Sequence, residues 1–266
     1  MSKDRFEFGK NWNKFLKNLD ETKIEKAVDS LKEWLNVSDL NGKTFLDIGS
    51  GSGLFSLAAK RLGATVHSFD YDPESVECTK ILKHRYYPDD PDWTVERGDA
   101  LDENYLSKYD KHDIVYSWGV LHHTGHMYDA LEKAGKLVKD GGILFIAIYN
   151  DQGFPTKCWW AVKKAYNFLP GPLKPIILIP CFIRLWGPMT IKDFIRLKPF
   201  DRWRTYKEER GMSPWRDVVD WVGGWPFEAA KPEEIFDFYH KRGFELEKMY
   251  TCAGGHGCNQ YVFTKK

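Results

Sequence analysis

Three of the chain's eight histidines, His122, His123 and His126, fall within five positions in SWGVLHHTGH, residues 117–126. Imidazoles so spaced could hold a metal, take a proton from a substrate, or build a turn. A metal needs three or four ligands converging on one point. Adjacent His122 and His123 would usually diverge, and no matching Asp, Glu or Cys cluster is evident. Cys252, His256 and Cys258 in CAGGHGC match no common zinc knuckle, and a glycine-rich turn explains that stretch. No metal site is expected. An imidazole titrating near neutrality suits proton removal from a hydroxyl. His122 and His123 are therefore candidate bases or orienting groups, with turn structure the competing role, and His126 reads as a helix-start residue. Tyr149 should face the same cleft together with Asn150, the plainer role of both being strand-end packing.

The second constellation is LDIGSGSGLFS, which sets Gly49, Gly51 and Gly53 between an apolar run and a helix start. Glycines there admit close approach of a ligand to the backbone, and free amides at the helix start can hydrogen-bond it. Asp70 ends the next apolar run, 21 residues after Gly49, where a carboxylate can accept from ribose hydroxyls. A nicotinamide dinucleotide fingerprint places its third glycine three positions after the second; here the gap is two and Leu54 takes that place. Asp47, just before the loop, would repel a pyrophosphate and attract a cation or amine.

These residues need a frame. Short strand-like segments at 44–49, 65–70, 93–99, 113–119 and 142–150, apolar at 45–48, 114–117 and 143–148, alternate with helical patterns at 54–63, 73–85 and 127–138, after a helical segment over 6–36. That alternation predicts right-handed βαβ units and a parallel sheet covered on both faces. It stops for about 80 residues and resumes with a helix at 232–243 and strands at 244–251 and 259–266. The glycine-rich residues between those last strands suit an antiparallel hairpin.

LDIGSGSG (46–53), FDYDP (69–73), RGDAL (97–101), YSWGVLHH (116–123) and KDGGILFI (139–146) together resemble the class I S-adenosylmethionine-dependent methyltransferases. The resemblance implies an α/β, doubly wound, Rossmann-like sheet of seven mostly parallel strands in the order 3-2-1-4-5-7-6, and S-adenosyl-L-methionine as cofactor. It implies that Gly49, Ser50, Gly51 and Gly53 lie under the methionine and ribose, with Asp47 near the ammonium group. Asp70 would bind the ribose hydroxyls, Tyr71 lie beside the adenine, and Asp99 accept from the adenine amino group next to the Ala100 amide. Trp118 would line the pocket. LHH after the fourth strand looks like the pattern of small-molecule O-methyltransferases of the ubiquinone-pathway and sugar-modifying kinds, in which one histidine of the pair is the base.

The expected organisation is an N-terminal helical lid (1–40) with Trp12 packing on the cofactor, a cofactor-binding core (41–150), an inserted aromatic-rich helical cap (151–230) and completion of the core (231–266). The insertion holds seven of the 11 tryptophans, which suits a substrate cap or an oligomer interface. From Arg184 to Arg216 nine Lys/Arg face four acids, while over the whole chain 39 basic and 38 acidic residues nearly cancel. That balance argues against nucleic acid as the partner. LKPIILIPCFIRLW (173–186), broken by Lys174, Pro175, Pro180 and Arg184, is read as too interrupted to span a bilayer, leaving contact with a membrane surface open. Five cysteines form no disulfide framework, and no signal-peptide pattern opens the chain, so a cytoplasmic location is expected. The expectation is methyl transfer to a small or lipid-like acceptor, at a hydroxyl. The rivals are a tRNA or protein methyltransferase, a dinucleotide-dependent oxidoreductase, and a nucleoside-binding module without chemistry. The acceptor and the oligomeric state are open.

Overall fold

The computed structural model describes Trp12, Leu16 and residues 19–210 and 213–266, with residues 207–210 described by backbone alone. The expected strands form: β1 (Thr44–Ile48), β2 (Thr65–Asp70), β3 (Trp93–Arg97), β4 (His112–Trp118), β5 (Val138–Tyr149), β6 (Phe244–Tyr250) and β7 (Cys258–Lys265). They make one sheet in the order β3-β2-β1-β4-β5-β7-β6, in which β7 runs antiparallel to β5 and β6 and the other pairs are parallel. The helices are α1 (Glu21–Leu35), α2 (Leu54–Arg61), α3 (Pro73–Tyr86), α4 (Glu103–Leu106), α5 (Met127–Lys136), α6 (Phe154–Phe168), α7 (Lys174–Ile195), α8 (Asp201–Arg210), α9 (Pro214–Gly223) and α10 (Pro232–His240).

Successive strand side chains point to opposite faces, so a sheet covered on both sides needs the continuous apolar runs found in β1, β4 and β5. Phe45 and Phe145 pack with Ile24 and Leu31 of α1, Leu57 of α2 and Leu82 of α3 on one face. Leu46, Val115 and Ile146 pack with Leu131 of α5 and Ile235 and Tyr239 of α10 on the other. This arrangement leaves the C-terminal ends of the parallel strands as the edge where open α/β sheets bind ligands.

Two expectations need correcting. The helix expected over 6–36 contains a start at Glu21, because the Asp20 side chain accepts from the Lys23 amide and caps a new helix there. Trp12 and Leu16 are helical, and the rest of the lid before residue 19 lies outside the described residues. The second concerns the stretch read as broken by Lys174, Pro175, Pro180 and Arg184. Helix α7 starts with Pro175 in its first turn, where proline is tolerated, and continues through Pro180 and Pro188 for 22 residues. By length and composition alone, Gly171–Ile195 reaches what a bilayer crossing needs.

Residues 153–227 form a compact unit separate from the sheet and its helices. Its core is Tyr166, Leu178, Cys181, Trp186, Val218 and Val222, flanked by Trp159, Trp203 and Trp221. The tryptophans are largely spent on one another: Trp159 meets Trp221 with ring centroids 5.6 Å apart, and Trp186 meets Trp203 at 5.8 Å, both edge-on. Lys163 of α6 is fully buried in this core. Its Nζ donates to the Trp221 carbonyl and lies 4.2 Å from the Trp221 ring centroid and 4.7 Å from that of Phe227. Burial brings its pKa from the ordinary lysine value down to about 7.

A lysine whose folded pKa lies below its unfolded one costs stability at and below neutral pH, and that cost fades as pH rises toward 10. Lys163→Met should therefore raise the melting midpoint of the full chain by about 2–5 °C at pH 7. By calorimetry the gain should shrink toward pH 10. A gain that stays constant or grows with pH would show that Lys163 keeps its proton in the folded protein.

Candidate active site

The glycine loop turns back on β2 as soon as β1 ends. The Gly49 and Ser50 amides donate to the Phe69 carbonyl at 2.8 and 3.1 Å. Gly49 has φ 80°, and a Cβ there would stand 2.4 Å from a Val120 methyl, so the loop touches the segment leading into the histidines. Gly51 has φ 55°, and a Cβ on it would come 3.1 Å from the Trp12 indole. Trp12 therefore stands against the glycine loop. The Ser50 hydroxyl and Thr79 Oγ1 of α3 are 3.0 Å apart, and Gly53 caps α2 without any side-chain bond.

Two carboxylates flank this loop. Asp70 accepts from the Gly51 amide and from the Asp72 amide, each at 2.9 Å. Burial pushes its pKa up to about 6 against the opposing pull of those amides. Asp47 is buried in β1 and accepts from Ser56 of α2 at 2.5 Å. Burial raises its pKa to about 7; the Ser56 bond opposes that rise and the Asp70 charge adds to it. The same Ser56 hydroxyl is 2.8 Å from Ser68 Oγ, which accepts from Trp93 Nε1 at 2.9 Å. Asp47 is thus the inner end of a buried polar chain, a commitment its place in the sequence did not reveal.

At the β3 end the Gly98 amide donates to the Asp70 carbonyl at 3.0 Å, drawing the two strand ends together. Asp99 accepts from the Leu101 amide at 2.9 Å beside buried Ala100. Arg97 Nε donates to the Tyr71 carbonyl at 3.3 Å, and its guanidinium lies 5.8 Å from the Tyr71 ring centroid. Trp118 is 44% exposed at the end of β4, and its Nε1 donates to Gln260 of β7 at 3.2 Å.

The histidines sit in a single 3₁₀ turn, Leu121–His123. The two rings do not diverge as expected, because Tyr149 gathers both: its ring centroid lies 3.9 Å from that of His122 and 5.3 Å from that of His123, and the imidazoles are 4.5 Å apart. His122 is fully buried, and its Nδ1 accepts from the Tyr149 amide at 3.3 Å. That acceptor role places the proton of the neutral ring on Nε2 and commits the remaining lone pair. His123 is only half-buried. Of the two it has the exposure a base needs. Among the described residues no group of three His, Cys, Asp or Glu side chains is placed to hold a metal.

Glu228 was not singled out from the sequence. Both its carboxylate oxygens accept from the Met127 amide, at 3.2 and 3.1 Å, so it caps α5 in place of His126, whose side chain makes no cap bond. Its own amide donates to the His122 carbonyl at 3.0 Å, and two residues later the Ala230 amide donates to the Tyr149 carbonyl, also at 3.0 Å. One short segment thereby pins both sides of the ring cluster. Asn150 joins the hairpin instead of the rings, donating to the Ala253 and Gly255 carbonyls at 2.8 and 3.1 Å and accepting from Asn259 at 3.0 Å. The Met127–Glu228 contact spans 101 residues, so no local spacing signals it.

The family model described as a methyltransferase domain matches residues 16–215. The chain belongs to that family. Its sheet has the order of the class I S-adenosylmethionine-dependent methyltransferases. A ubiquinone biosynthesis O-methyltransferase of Brucella ovis is 33% identical over 111 residues, which cover 42% of this chain and 43% of that protein. One from Glaesserella parasuis is 24% identical over 157 residues, 51% of this chain and 66% of that protein. The matches therefore span roughly half the length of these relatives. Among solved structures, the magnesium protoporphyrin IX methyltransferase (ChlM) of Synechocystis PCC 6803 with bound SAH superposes with TM-score 0.54 at 15% identity, covering 92% of this chain and 84% of that one. PKMT2 of Rickettsia typhi in complex with AdoHcy gives 0.55 at 14% identity over 85% of this chain and 50% of that one.

Asp47 and Asp70 hold their protons more tightly in the folded chain than when unfolded. That contribution to stability is present at acid pH and lost as pH rises through about 6 to 7. A ligand bringing an ammonium group and ribose hydroxyl donors prefers both carboxylates ionised and reverses the shift. S-adenosylhomocysteine should bind more tightly as pH rises from 5.5 to 7.5 and release protons near pH 6, read by titration calorimetry in buffers of different ionisation enthalpy. Affinity independent of pH, without proton release, would remove these carboxylates from the binding site.

Proposed function

We propose that this methyltransferase transfers a methyl group from S-adenosylmethionine to a hydroxyl oxygen of a small or lipid-like acceptor, with His123 as general base. The carrying observation is the ring cluster of His122, Tyr149 and His123 next to the glycine loop, joined to it through the contact of Val120 with Gly49. The similarity to O-methyltransferases named for ubiquinone biosynthesis supports oxygen as the target.

The residues fit the cofactor. The glycine loop presents backbone with no room for side chains, and carboxylates with raised proton affinity stand where a cation and hydroxyl donors would neutralise their burial. Gly49, Ser50, Gly51 and Gly53 would bear the methionine and ribose part, Asp70 the ribose hydroxyls and Asp47 the ammonium group. Tyr71, Asp99 and Ala100 would hold the adenine, with Trp118 at the rim. When bound, the cofactor supplies an electrophilic methyl group on a positively charged sulfur. His123 would take the acceptor's hydroxyl proton as the oxygen becomes the nucleophile. His122 and Tyr149 would hold the His123 ring in place, and Glu228 would hold the turn that carries both histidines. Residues 151–230 would choose the acceptor, and a lipid-like acceptor would be reached at a membrane surface through the 173–186 stretch.

The test measures transfer of labelled methyl to a panel of phenolic, catecholic and sugar hydroxyl compounds. His123→Ala should lower kcat by about 10²-fold or more on any accepted compound, leave S-adenosylhomocysteine affinity unchanged, and remove the acid limb of the pH–rate profile. His122→Ala should act mainly through ring placement, so part of its loss should return in His122→Asn. Full turnover by His123→Ala would overturn the assignment of the base, and methylation confined to amines or thiols would overturn the hydroxyl target.

A further inference from the structure

We propose that the outer face of helix α7 and the turn after it form a docking surface for an anionic lipid bilayer, lying in the plane of the headgroups. This deepens the lipid-like acceptor reading and rests on it for its purpose, but the surface itself is argued from α7 alone.

Helix α7 is apolar on two opposite sides. Leu178, Cys181 and Trp186 are buried in the core of the helical unit with Val218 and Val222 of α9. The opposite stripe, Ile176, Ile179, Ile183, Ile191 and Phe194, recurs at helical spacing and is exposed throughout, from 49% at Ile179 to 67% at Ile176. Past the stripe, Ile195 and Leu197 are 76% and 89% exposed. Only 17% of the most apolar 18-residue window of this helix is buried. Isolated exposed apolar residues mean little, but Ile176, Ile179 and Ile183, followed past Gly187 and Thr190 by Ile191 and Phe194 on the same side, mark an interaction surface.

Charge decides the occupant. Between residues 171 and 200 the cations are Lys174, Arg184, Lys192, Arg196 and Lys198, against the single acid Asp193. Arg184, Lys192, Arg196 and Lys198 are exposed, whereas Asp193 is buried and paired with Arg202, Oδ1 to Nε at 3.2 Å. Between residues 171 and 200 the face thus offers solvent hydrocarbon and positive charge with no exposed acid, the next one being Asp201 at the start of α8. That is the composition of a helix resting on anionic headgroups, where long basic side chains reach up beside buried apolar ones. The packing of the inner side against α9, and the pairing of Asp193 with Arg202, hold the helix to its unit and oppose a crossing orientation.

The full chain is sedimented with phosphatidylcholine vesicles and with vesicles containing 30% phosphatidylglycerol by design, with no acceptor present. Binding should be about tenfold or more stronger on the anionic vesicles and fall several-fold in 0.5 M salt. Ile179→Glu/Ile183→Glu should abolish it, with the fold checked by circular dichroism and S-adenosylhomocysteine affinity retained. Should that variant fail to fold, Arg184→Gln/Lys192→Gln/Arg196→Gln, which leaves the apolar packing intact, should lose the anionic preference. Binding equal on both vesicle types, or unaffected by either variant, would overturn the proposal. So would absence of vesicle binding with a dimer that Ile179→Glu/Ile183→Glu dissociates, which would assign the face to a second copy of the chain. Association resisting alkaline extraction would assign α7 to a membrane crossing and overturn it likewise. Because no methyl transfer is read, vesicle binding can stand while the hydroxyl acceptor falls, and the reverse.

Discussion

The site depends on how closely two strand ends approach each other. At Gly49 the chain leaves β1 with a positive φ, and a Val120 methyl fills the space where a Cβ would stand. This contact sets the glycine loop against the segment that becomes the histidine turn, so both stand at one edge of the sheet. An L-residue at position 49 would be strained by its backbone and would also push the two segments apart. A hydrogen bond from the Gly51 amide to the Asp70 carboxylate fixes the far side of the same loop.

The histidine turn is held by groups from distant parts of the chain. Glu228 supplies the cap that α5 lacks, and Ala230 ties the end of β5 to the same short segment. A carboxylate at a helix N-terminus meets the positive end of the helix dipole and orphan amides together. Burial raises the pKa of Glu228, and its bonds to the Met127 and Gly125 amides oppose the rise. Rigid support of this kind lets a half-buried imidazole keep one orientation while remaining open to solvent.

The helical unit of residues 153–227 divides its apolar side chains between a core and an exposed face. Most of its tryptophans build its own core, around a buried lysine that is held by a carbonyl and two rings. Exposed apolar side chains are most numerous on α7 and the turn after it, with others at Phe154, Phe168 and Trp215. Aromatic enrichment alone did not distinguish these roles, because a ring packed in a core and a ring facing a ligand leave the same mark on composition.

Sequence alone determined the alternation that builds a parallel sheet, and its motifs, through their resemblance to a known family, implied the strand order. Apolar runs alternating with helices admit few topologies, and Gly49, Gly51, Gly53 and Asp70 follow one another at local spacings that backbone geometry imposes. Tertiary structure decided what those spacings do not encode. It assigned Nδ1 of His122 to the Tyr149 amide and left His123 the more open ring. It drew Asp47 into a buried chain with Ser56 and Ser68, and it ran α7 through Pro180 and Pro188. Local pattern reports which backbone a residue prefers. Which lone pair is occupied, and which face is covered, depends on groups brought close only when distant segments fold together.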